Sequence, residues 1–106
     1  MDVFDMFKIV LDEHSSRILD LTNSRSMNAA EISEFIGIPM AACYRRIRSL
    51  KRVGMLREDT KTVSPGGKSV VTYRSVLDRA EVVLHDGRLK VFMDVDGETS
   101  SDQMLL

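Results

Sequence analysis

The chain has 106 residues, 43% hydrophobic and 29% charged, which fits one small globular domain with a modest core. It contains no run of about 18 apolar residues to span a membrane, and its acidic start (Asp2, Asp5) is unlike a secretory leader. One cysteine excludes an internal disulfide and fits a cytoplasmic setting.

The net charge of −1 is unevenly placed. Residues 1–39 hold three Lys/Arg against seven Asp/Glu, residues 40–74 nine against two, and residues 75–106 three against seven. A basic middle between acidic flanks points to one face for a polyanion. Block charge also arises by chance in small proteins, but here it coincides with an expected helix and hairpin.

In chain order, segment 1–12 is mostly apolar. Val3, Phe7 and Val10, flanked by Phe4, Met6 and Leu11, would form the buried stripe of a short helix, although a run this short also suits a strand. Asp12-Glu13-His14 interrupts it. Ser15 or Ser16 is the expected N-cap of a second helix, with Ile18, Leu19 and Leu21 as its apolar face and the polar cluster 22–26 as its end. Asn28, followed three residues later by Glu31, is a capping-box start. Ile32, Phe35 and Ile36 supply the expected buried side of the helix it opens, which ends at Gly37.

Residues 38–54 carry the most information. Pro39 suits a first helical turn, and Gly54 suits a left-handed C-terminal cap. Met40, Cys43, Ile47 and Leu50 recur at helical spacing as one apolar face. The opposite side carries Ala41, Tyr44, Arg45, Arg48, Ser49 and Arg52, and no acid occurs in the stretch. The plainer account is a solvated basic surface. Helix, Gly-containing turn and basic helix together favour a helix-turn-helix whose second helix enters a DNA major groove.

Beyond Gly54 the pattern is extended. Runs 55–60 and 70–74 flank Ser64-Pro65-Gly66-Gly67-Lys68, a turn signal, so a β-wing is expected, with Lys61, Lys68 and Arg74 on or near it. Asp86-Gly87 between two β-prone runs is a strong hairpin signal. A two-residue turn there pairs His85 with Arg88 and Leu84 with Leu89. It gathers Ala80, Val82, Leu84, Leu89, Val91 and Met93 on one apolar face, which needs a cover. Residues 97–106 are polar and expected to form a flexible tail.

The fold expected is α+β: a winged helix-turn-helix of three core helices and a β-wing, with an N-terminal apolar helix and a C-terminal β-hairpin. Its parts are a cover segment 1–12, a DNA-binding domain 13–76, a hairpin 77–96 and the tail 97–106. Asp12-Glu13 before Arg17-Ile18-Leu19, Met27 with Ala30-Glu31-Ile32, Tyr44-Arg45-Arg46-Ile47, Leu50, Gly54-Met55-Leu56 and Tyr73-Arg74 stand in the order and spacing of one known group. Over residues 6 to 95 the chain resembles the ArsR-like winged-helix regulators, especially those common in archaea. The resemblance implies a dimeric DNA-binding transcriptional regulator. That family's metal sensors carry clustered cysteines on a DNA-binding helix, whereas Cys43 stands alone on the apolar face.

Within this reading Arg45 and Arg48 are the expected base readers, because a guanidinium bonds bidentately to guanine O6 and N7. Tyr44 suits a phosphate or a thymine methyl, and Arg46, Lys51 and Arg52 suit phosphates. Lys61 and Lys68 would reach the backbone or minor groove from the wing. Val3, Phe4, Phe7, Val10, Val82, Leu84, Leu89, Val91 and Met93 are the candidate dimer contacts. No catalytic arrangement is legible, and Gly67-Lys68-Ser69 lacks the spacing and context of a phosphate-binding loop. No cofactor and no metal site is expected, since His14 and His85 are far apart and lack a second ligand type. The partners expected are double-stranded DNA and a second copy of the chain, with no membrane. A winged-helix module binding protein within a larger complex is the competing reading. An effector pocket between the N-terminal segment and the hairpin is a third.

Overall fold

The Asp2 carboxylate accepts from the Asp5 N–H at 2.9 Å and opens the first helix, α1 (Val3–Val10). A computed structural model describes residues 2–106. α2 (Glu13–Ser24) is capped by Asp12, whose carboxylate accepts from the Ser15 N–H. This corrects the expected cap at Ser15 or Ser16. Ser15 is buried, while Asp12 stands at the helix mouth, where a carboxylate also complements the dipole. α3 (Ala29–Ile36) opens on the Asn28–Glu31 capping box and stops at Gly37, which takes φ +78°. α4 (Met40–Arg52) follows after two residues and ends in a Schellman motif. There the Met55 N–H donates to the Leu50 carbonyl, the Gly54 N–H to that of Lys51, and Gly54 takes φ +78°.

Two antiparallel sheets complete the chain. β1 (Met27–Asn28), β2 (Leu56–Val63) and β3 (Ser69–Ser75) form the first, in the order β1-β3-β2. Tyr73 lies opposite both Met27 and Glu58. The two-residue β1, absent from the expectations above, ties the start of α3 to this sheet. β4 (Leu77–His85), β5 (Arg88–Val95) and β6 (Glu98–Leu105) form the second sheet in chain order. Asp86-Gly87 sets His85 opposite Arg88 and Val82 opposite Val91.

Residues 97–106 are therefore not a tail. They add a third strand through a second Asp-Gly turn, Asp96-Gly97, with both residues at positive φ. The C-terminal unit is a three-stranded sheet rather than a lone hairpin, which resolves the marginal stability of two strands.

The core runs from Ile18 and Leu19 of α2 through Ile32 of α3 to Ile47 and Leu50 of α4, with Met27 and Met55 between them. α1 lies on the second sheet, against β5 and β6. Phe7, Val91 and Met93, expected as contacts with a second copy, are buried within the chain by this packing. Phe35 was expected in the core, yet it is exposed. Its ring lies on the outer side of α3 with the Arg25 guanidinium 5.6 Å away. Among the described residues, no helix is long and apolar enough to cross a membrane.

Candidate nucleic-acid interface

α4 is fixed from behind. Cys43, Ile47 and Leu50 are fully buried, and the Cys43 Sγ–H donates to the Ala29 carbonyl at 3.6 Å. Truncating a side chain such as Ile47 to Ala would cost about 2–5 kcal/mol, so this face holds the helix's rotation about its own axis. Met40, the fourth residue expected on that face, is instead part-exposed at the first turn.

On the outer face Ala41, Tyr44, Arg45, Arg48, Lys51 and Arg52 are exposed and Ser49 is half-buried. Among the described residues, Arg45, Arg48 and Arg52 form no ion pair. Their charge is uncompensated and faces water. Two other cations of the helix are engaged. Arg46 Nε donates to Asp12 Oδ2 at 2.9 Å and its Nη1 to the Ala42 carbonyl at 3.4 Å, so it fastens α4 to the start of α2. Lys51 Nζ donates to Glu58 Oε1 at 2.8 Å and lies 5.9 Å from the centre of the Tyr73 ring. That hydrogen bond raises the Lys51 pKa and lowers that of Glu58.

The first sheet stands beside the helix. Side chains alternate across a strand, so Tyr73, which packs toward α4, puts Arg74 on the far face. Arg74 lies there directly opposite Arg57 and is not brought to the helix. Lys61 lies opposite Val71 on the α4 side. Lys68 sits in the 64–68 turn, which is closed by the Ser64 N–H donating to the Lys68 carbonyl at 2.7 Å. A groove between the turn and α4 is lined by Lys68, Tyr44, Met40 and Tyr73, together with Asn28 and Ala30. Asn28 and Ala30 mark the start of α3, where helix N–H groups face outward. Neither was among the expected site residues, although the Asn28–Glu31 pair signals a positive helix end at that place.

A basic, exposed second helix set across a glycine turn from a capped first one is the geometry of a known motif. Residues 10–59 match the family model of a helix-turn-helix domain. No curated protein matches the chain. The matched helix-turn-helix spans α2, β1, α3, α4 and the first half of β2, and so includes every cation of α4. The helix-turn-helix is a DNA-binding unit whose second helix reads the duplex. In the matched region α4 occupies the position of that second helix.

Proposed function

We propose that the chain is a sequence-specific, double-stranded DNA-binding transcriptional regulator of the ArsR-like winged-helix kind, acting as a homodimer. α4 with its cap residue, 40–53, lies in the major groove. The β2–β3 hairpin is the wing, and its residues 60–70 rest on the backbone or in the minor groove. One observation carries this reading: among the described residues Arg45, Arg48 and Arg52 have no ion-pair partner, and they project from a helix whose other face is anchored in the core.

Roles divide by freedom. Arg45, in the second turn of α4, and Arg48, in the third, read base edges, and Arg52 meets a phosphate. Tyr44 and Lys68 flank the groove where the backbone passes. Arg46 holds the helix to α2 rather than meeting DNA, because its guanidinium is already engaged with Asp12. Lys51 reaches phosphate only by leaving Glu58. A second copy doubles the modest surface one such module offers to DNA. Selection of bound duplexes from a random pool tests this reading. A palindromic consensus is the expected result, and recovery of unenriched sequence contradicts it.

A further inference from the structure

β4 is an outer strand of the second sheet. Free strand edges invite pairing with another strand and are usually blunted by charge, proline or a bulge. The first half of β4 is blunted in this way: its register shifts between Leu77 and Arg79, and Asp78, Arg79 and Glu81 are charged. The second half is not. Val82 is 48% exposed and Leu84 66%, whereas Val91, directly opposite Val82 and beneath α1, is 2% exposed. Val82 and Leu84 are left outside the cover that α1 supplies to β5.

The backbone of this edge is open as well. A two-residue turn makes His85 and Arg88 a hydrogen-bonded pair, so alternation makes Val83 and Glu81 the next residues bonded to β5. Ala80, Val82 and Leu84 therefore aim their N–H and C=O groups outward, and among the described residues no other backbone bond takes them.

We propose that this edge pairs with β4 of a second copy, antiparallel about a two-fold axis through Val82, giving one continuous six-stranded sheet. The proposal rests on the homodimer above and names its surface. The three outward-facing residues pair among themselves in one register only, Val82 with Val82 and Ala80 with Leu84. That register joins the exposed apolar side chains into one stripe and sets Glu81 beside Val83. Centring on Glu81 would place two like charges face to face at about 4.5 Å between Cα atoms. Centring on Val83 would set Ala80 against the turn residue Asp86, whose positive φ takes it out of the strand.

The test uses the full chain. Cys43 is fully buried, so a thiol introduced at position 82 is the accessible one. In a hydrogen-bonded pair its Cα would lie about 5.5 Å from its symmetry mate, within disulfide reach. The wild type is expected to sediment as a dimer at micromolar concentration, and Val82→Cys to cross-link on mild oxidation. Leu105→Cys, on the opposite edge strand, stays uncross-linked. Val82→Lys, at a half-exposed site, keeps its far-UV spectrum but weakens the dimer about tenfold or more through facing like charges. Cross-linking at 105 and not at 82, or an unaltered dimer for Val82→Lys, overturns the β4 edge and leaves the homodimer standing. A monomeric wild type overturns both, while duplex binding measured separately reports on the DNA reading.

Discussion

Arg46 Nε lies 2.9 Å from Asp12 Oδ2, and the same carboxylate group caps α2 through the Ser15 N–H. One acid thus holds the start of α2 and the middle of α4 in a fixed relation. The Arg46 guanidinium beside it lowers the Asp12 pKa to about 2, from an ordinary 3.8. Because the folded value is depressed, the associated stability is present above about pH 4 and is lost as pH falls toward 2. Without screening by solvent, that depression would be worth about 2.5 kcal/mol. The Asp12 side chain is 42% exposed, which reduces this to about 1 kcal/mol.

Asp12→Ala, which removes cap and pair together, should lower unfolding free energy by about 1–2 kcal/mol at pH 7. Asp12→Asn keeps a cap acceptor, so its loss should be about 1 kcal/mol or less. The Asn variant should also show a shallower fall in stability between pH 4 and pH 2. Urea denaturation across that range measures both effects.

Glu58 restrains a cation that DNA could use. Glu58→Gln should release Lys51, tighten binding to any duplex and steepen the salt dependence by about one unit of log–log slope per chain. Binding titrations at several salt concentrations report the slope. An unchanged slope means that Lys51 does not reach phosphate.

Burial raises the Cys43 thiol pKa, and its Sγ–H is held against the Ala29 carbonyl. Native protein should resist thiol reagents and label only on unfolding, and mild oxidant should leave duplex binding unchanged. Fast labelling of folded protein would show that α4 lifts from the core.

Phe35→Ala should cost less than about 1 kcal/mol, against about 3–5 kcal/mol for a buried phenylalanine. Thermal or urea unfolding separates the two. The position also shows where periodicity misleads: at i+3 from Ile32, Phe35 falls at the rim of the apolar stripe, and on a short helix the rim faces water. Asn28 with Glu31 and Asp86-Gly87 were legible because each encodes a local backbone geometry. β6 was not, since it pairs through its backbone and its polar side chains carry no alternation, although Asp96-Gly97 repeats the turn signal that opened β5. The basic face of α4 was readable from spacing. The engagement of Arg46 and Lys51 was not, because their partners Asp12 and Glu58 come from other elements. α1 covering β5 rather than a second copy was likewise a matter of three-dimensional placement that no run of residues records.

The most direct test of the account is the affinity of Arg48→Ala for the selected duplex and for a scrambled one of equal length, beside Lys68→Ala on the same pair. Arg48→Ala should lose about 1–3 kcal/mol on the selected duplex and little on the scrambled one, and Lys68→Ala should weaken both alike. Equal losses on both duplexes for Arg48→Ala, or no loss on either, would contradict α4 as the element that reads DNA.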